Sequence, residues 1–267
     1  MAIVRNRDVL CGPARHEYVQ SIARGFAVIK AFSGKADSLT ITDVAQRTTL
    51  SRAAARRFLL TLKELGYVAH QEGGFRLTPR VLDLGFTFLS TMKLPDVAQP
   101  VMEDIVSKVH ESCSIAVLDG SDIVYVARVP AKRIMSIALA VGARLEAYPT
   151  SMGRVLLAGL EPEGLDRYFS MATLRPITKW TITNVAKLRR VVEQVREQGW
   201  ALVDQEVELG LRSVAAPIRD RSGRTIAAIN ISSHVSRVNL KDMRIRHLSL
   251  VIQAAAQISK MLCAPES

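Results

Sequence analysis

Apolar positions in the first ninety residues recur at helical spacing, whereas the second half mixes short extended runs with helices, and this change of period divides the chain. From Tyr18, the series Val19, Ile22, Phe26, Ile29, Ala31 and Phe32 predicts a helix that stops at Ser33-Gly34. "LTITDVAQRT" predicts a second, with Thr40 as cap, Asp43 completing a capping box, and Ile41, Val44 and Ala45 on one face. A turn from Thr48 to Ser51 leads into "SRAAARRFLLTLKEL". There Phe58, Leu59, Leu62 and Leu65 form an apolar stripe, and Arg52, Arg56 and Lys63 fall opposite it. Gly66 ends that helix, and "YVAHQEGGFRLT" reads as two short strands turning at Gly73-Gly74. Helix, tight turn, helix and two-stranded wing, over residues 18–78, is the order of a winged helix-turn-helix. Residues 1–17 show no periodicity and are expected to form a flexible tail.

Residues 79–94 predict a linker helix with Pro79 in its first turn and Leu94-Pro95 as its stop. A helix at 96–111 opens a second domain, 95–267. Strands are expected at 114–118, 123–128 and 134–139, helices at 151–159, 161–169 and 184–198, strands at 200–204, 213–218 and 225–232, and a closing helix at 240–262. Hairpin-linked strands with flanking helices imply an α+β fold around an antiparallel sheet.

A net charge of +11 and a pI of about 10.0 favour polyanionic partners. The charge is densest in front, where Met1 to Ser90 carries 13 Lys and Arg against 7 Asp and Glu. No apolar run approaches the ~18 residues that span a bilayer, and no signal-peptide centre is visible, so no membrane is expected and the cytoplasm is the expected address. Cys11, Cys113 and Cys263 lie far apart without C-x-x-C spacing. Neither a disulfide framework, a metal site nor a cofactor is signalled. Enzyme motifs are missing too, with no G-x-S-x-G elbow, P-loop, H-E-x-x-H helix or Rossmann glycine pattern. A thiol enzyme built on Cys113 with His110 or His234 is the remaining catalytic reading, and "CSIAV" opposes it by reading as a buried strand.

For Arg52, Arg56, Arg57 and Lys63 the bland reading is a solvated helix face. Context favours DNA, because a short helix and tight turn precede them and the small residues Ala53, Ala54 and Ala55 let the backbone approach base edges. Ser51 and Arg52 would reach bases or phosphates, Arg56 and Arg57 would touch phosphate, and Arg76 on the wing would grip a neighbouring phosphate or the minor groove. Thr40, at the start of the preceding helix, joins this set. A rival is a sequence-indifferent architectural DNA binder, against which stands a larger second domain without matching charge excess.

The stretches "SIARGFAVIKAF", "GARLEAYPTSMGRVLLA" and "DQEVELGLRSVAAPIRDRSGRTIAAINIS", with the helix-turn-helix between, occur in an order and spacing that resemble the IclR family of transcriptional regulators over residues 18–262. More narrowly the chain resembles the branch controlling protocatechuate and β-ketoadipate catabolism. The resemblance implies a GAF-like effector domain, no catalysis, operator DNA bound by a dimer or a dimer of dimers, and RNA polymerase as a further partner of an activator. It places Gly142, Ala143, Met152, Asp204, Glu206, Ser213, Asn230 and Ser232 at an effector pocket. Asp204 and Glu206 are odd neighbours for an acid. A protocatechuate, 4-hydroxybenzoate or β-ketoadipate type of effector needs a cation, for which Arg128, Arg144, Arg154 and Arg212 are available, the first two as ligand selectors. A regulator of another carboxylate pathway fits the same pattern. Thr49 stands where the family commonly has glycine and is expected either to take an unfavourable φ or to alter the turn.

Overall fold

The computed structural model describes residues 18–33, 38–71, 73–90, 92–131 and 139–263. The expected tail 1–17 and residues 134–138 of an expected strand lie outside them. Two compact units meet between Thr87 and Phe88.

In the first unit, α1 (Gln20–Ala31), α2 (Ile41–Thr48) and α3 (Arg52–Glu64) precede a hairpin of β1 (Val68–Gln71) and β2 (Gly74–Leu77). The capping box forms: the Asp43 N–H donates to Thr40 Oγ1 (3.2 Å), and the Thr40 N–H donates to the Asp43 carboxylate (2.8 Å). Hydrogen bonds from the Thr40 hydroxyl and N–H hold the Asp43 carboxyl below its ordinary range. Thr49 does take the left-handed conformation, at φ 56°, and its N–H closes α2 on the Ala45 carbonyl. Ser51 then caps α3 by accepting from the Ala54 N–H at 3.2 Å.

The core of this unit joins Val28, Val44, Leu59, Leu62, Val68 and Phe75. Leu39 bridges Phe75 through paired 2.8 Å backbone bonds and adds a short third segment to the wing. One expected core position is corrected. Leu65 is 51% exposed, and the inward stripe of α3 instead runs Ala55, Leu59, Leu62, at offsets of four and seven.

Pro79–Val81 forms a 3-10 turn that runs on into α4 (Leu82–Ser90). In the second unit α5 spans Leu94–Val109. Pro95 sits in its first turn, where a missing N–H costs nothing, so it opens this helix, whereas the helix before it, expected to run to Leu94-Pro95, already ends at Ser90. The sheet consists of β3 (Ser112–Asp119), β4 (Asp122–Val129), β5 (Arg144–Glu146), β6 (Ala201–Asp204), β7 (Leu211–Arg219) and β8 (Thr225–His234). Its order is β5-β4-β3-β8-β7-β6, antiparallel throughout. One face packs on α5 and on α10 (Leu248–Cys263), which follows α9 (Leu240–Asp242) through a π-helical turn at Met243–His247. The other face packs on α6 (Ser151–Ala158), α7 (Pro162–Met171) and α8 (Val185–Gln198). This is the expected α+β architecture, with β5 as an addition.

Close packing fixes the start of α6. A Cβ at Gly153 would overlap the Ala147 carbonyl, backbone that cannot swing aside like a long side chain. Gly153→Ala is therefore expected to cost about 1–3 kcal/mol of unfolding free energy in a denaturant titration. An unchanged midpoint would mean that the helix start yields freely.

Candidate DNA-reading and effector-binding sites

Ser51, Arg52, Ala53, Arg56 and Arg57 are exposed on α3, Ala54 is half-buried, and Arg76 is exposed on the wing. The side chains of Arg52, Arg56, Arg57 and Arg76 make no hydrogen bond or ion pair to another described residue, so their donors are open to an outside acceptor. Ala55 is different: it is fully buried in the core, so the small-residue rim of α3 ends at Ala54. Two further candidates, Thr40 and Ser51, already use their hydroxyls as caps. Their value to a DNA complex is to hold the two helix starts in place.

The second candidate site grows from strand alternation. In β8, Ile229 and Ile231 enter the core under α5 and α10, which turns Asn230 and Ser232 toward the α6 side. Val214 likewise turns Ser213 toward α6. Register then lines these residues up across the sheet. One row runs Arg128, Ser114, Asn230, Ala215, Ala201, and the next runs Ser112, Ser232, Ser213, Val203. Arg128 Nη1 donates to Ser114 Oγ at 3.2 Å, Asn230 Nδ2 donates to Ser232 Oγ at 3.0 Å, and the hydroxyls of Ser213 and Ser151 lie 2.8 Å apart. A polar strip thus crosses an otherwise apolar face. Ser114 and Ser151 were not singled out in the sequence, where a serine inside an apolar run carries no signal until its neighbours across the sheet are known.

The remaining predicted residues lie elsewhere or are already engaged. Asp204 pairs with Arg212 at 3.1 Å. Glu206 pairs with Arg154 at 2.6 Å, with both side chains buried, and also accepts from the Ile182 N–H at 3.1 Å. Each carboxylate is thus matched by an arginine. Arg144 is exposed and pairs with Asp119 (2.6 Å) and Asp122 (3.2 Å). Gly142 is exposed and a Cβ there would meet nothing, so its positive φ of 86°, rather than a close approach, explains the glycine. Met152, on α6, is buried in the core, and the partly buried Ala143 packs against the same cluster.

Burial pushes the Cys113 thiol well above its ordinary range, the reverse of what a nucleophile needs. A surface depression of about 570 Å³ lies away from the polar strip, between the ends of α5 and α10 and the β7–β8 turn, lined by Leu94, Asp220, Arg221, Ile226 and Leu262 among others. If the Arg154–Glu206 pair is scaffold, Glu206→Ala should lower the stability of the ligand-free protein by about 3–5 kcal/mol, because it strands a buried guanidinium. Unchanged thermal unfolding of that variant would assign Glu206 to ligand contact alone.

Comparison with known proteins joins the two sites. Residues 21–72 match the IclR helix-turn-helix domain, and residues 86–260 match the C-terminal domain of bacterial transcriptional regulator IclR. The Pca regulon regulatory protein of Pseudomonas putida is 42% identical over 247 residues, covering 92% of this chain and 85% of that protein. Among solved structures, a transcriptional regulator from Rhodococcus sp. RHA1 shares 51% identity at a TM-score of 0.83, covering 92% of this chain and 98% of that one. An IclR homolog of Microbacterium hydrocarbonoxydans, complexed with 4-hydroxybenzoate, shares 25% identity at a TM-score of 0.79, covering 91% of this chain and 98% of that one. With both its domains matched in order, the chain belongs to the IclR family and is a DNA-binding transcriptional regulator, not an enzyme.

Proposed function

We propose that this regulator reads a specific operator with the Ser51–Ala54 rim of α3, that Arg56, Arg57 and Arg76 contact phosphates, and that a small aromatic acid of the hydroxybenzoate type governs the outcome from the polar strip beneath α6. The observation that carries the effector half is Arg128. It is half-buried, and its guanidinium meets a serine hydroxyl and no carboxylate among the described residues, whereas Arg144, Arg154 and Arg212 are each matched by one. An acid leaving water for a partly buried site needs such a cation. The 4-hydroxybenzoate complex of one relative and the Pca regulon assignment of another support the aromatic-acid class.

Operator half-sites one helical turn, about 34 Å, apart call for two reading heads. A homodimer supplies them, and the exposed apolar residues Tyr18 and Val19, just before α1, with Ile22 and Phe26 on it, support self-association. No described helix is long and apolar enough to cross a membrane, in keeping with work in the cytoplasm.

Two measurements test the proposal. Arg52→Ala should weaken binding to the cognate operator by about 1–3 kcal/mol and relax base preference. Equal loss on every DNA sequence would assign Arg52 to phosphate. For the effector, thermal unfolding with protocatechuate, 4-hydroxybenzoate, β-ketoadipate, catechol and muconate should single out a hydroxybenzoate, since ligand at 100 times its Kd adds about 2.7 kcal/mol. Arg128→Ala should remove that stabilisation. Stabilisation by a non-aromatic acid alone would place the chain in another carboxylate pathway, and stabilisation that survives Arg128→Ala would put the acid elsewhere.

A further inference from the structure

Asn230 is 4% exposed and lies at the centre of the polar strip, one strand from Ser114 and two from Arg128 in the same cross-sheet row. Its amide is held by one bond, from Nδ2 to Ser232 Oγ. Strand alternation turns this side chain toward the α6 side, and its Oδ1 is buried and without a hydrogen-bond partner among the described residues. A buried amide oxygen stripped of water is unfavourable until a donor meets it. The next residues along the row, Ala215 and Ala201, carry no polar side chain that could supply one.

Arg128 and Asn230 ask for different chemistry. Arg128 donates to Ser114 Oγ and keeps further N–H donors, and Asn230, two strands from Arg128 in the same row, offers an acceptor. A ligand that satisfies both has an acceptor group at one end and a hydroxyl donor at the other. A dicarboxylate at neutral pH has acceptors at both ends, so its second carboxylate would face the Asn230 oxygen with lone pair against lone pair. We infer that the side-chain carbonyl of Asn230 reads an effector hydroxyl, so that the site selects a hydroxylated aromatic monocarboxylate over a diacid of similar length.

This inference rests on the effector reading above, and the two fail differently. The test is isothermal titration of the full-length protein with 4-hydroxybenzoate, benzoate and adipate, repeated on Asn230→Leu. Wild type should bind 4-hydroxybenzoate at least about tenfold more tightly than benzoate, because a site built around a hydroxyl penalises its loss, and should bind adipate most weakly. Asn230→Leu should bring 4-hydroxybenzoate to within about twofold of benzoate. Equal wild-type affinity for 4-hydroxybenzoate and benzoate overturns the role of Asn230 and leaves the aromatic-acid reading standing. So does a hydroxyl preference that persists in the variant. Adipate binding as tightly as 4-hydroxybenzoate overturns the selection against diacids, and no binding by any of the three overturns the effector reading itself. The wild-type series stands without the variant, so a folding defect in Asn230→Leu does not remove the test.

Discussion

Everything that the second unit offers a ligand depends on the two-residue period of β7 and β8. Because side chains alternate between faces, Val214, Ile229 and Ile231 close a dry core under α5 and α10, and the same register turns Ser213, Asn230 and Ser232 to the opposite side. A slip of one residue would bury the amide and hydroxyls in the apolar core and drive the isoleucines against α6, where Ala215 and Ala228 now pack. Register is therefore held by two energies of the same sign: the cost of desolvating unpaired polar groups adds to the misfit of large side chains on the α6 face, and both oppose the slip. The polar strip is a by-product of the packing that stabilises the sheet.

Charge is arranged on the same principle. Glu206 pairs with Arg154, which reaches back to the Tyr148 carbonyl at 3.0 Å and ties α6 to the segment before it. Arg212 spans Asp204 and the Val238 carbonyl. With Arg154 and Arg212 each paired to a carboxylate, Arg128 is left as the cation in the strip, and two strands along its row the Asn230 Oδ1 has no hydrogen-bond partner among the described residues. In the first unit the same economy applies to hydroxyls. Thr40 and Ser51 fix the starts of α2 and α3, and the arginines beyond them stay free.

Helices with a strong apolar stripe and a recognisable cap were legible in the sequence, because both signals are local. The capping box of Thr40 and Asp43, the wing hairpin and the strained Thr49 all appear where the sequence placed them. Leu65 and Ala55 exchange roles because a stripe of four leucine and phenylalanine positions looks continuous in sequence, while tertiary packing accepts whichever side chain faces inward, here the smaller one. At three residues, β5 is too short to show alternation, and only its pairing with β4 defines it. Site residues divided in the same way. Ser213, Asn230 and Ser232 alternate visibly, whereas Ser114 joins them only through cross-strand register, and the pairing of Asp204 and Glu206 with distant arginines has no local trace.

The most direct test of this account is nuclear magnetic resonance of the full-length protein during titration with 4-hydroxybenzoate, following the Asn230 side-chain amide and the isoleucine methyl groups. The account predicts a large shift of the Asn230 amide protons with Ile229 and Ile231, on the far face of β8, nearly still. Movement of the Ile226 methyls at the surface depression, with the Asn230 amide unmoved, would contradict it.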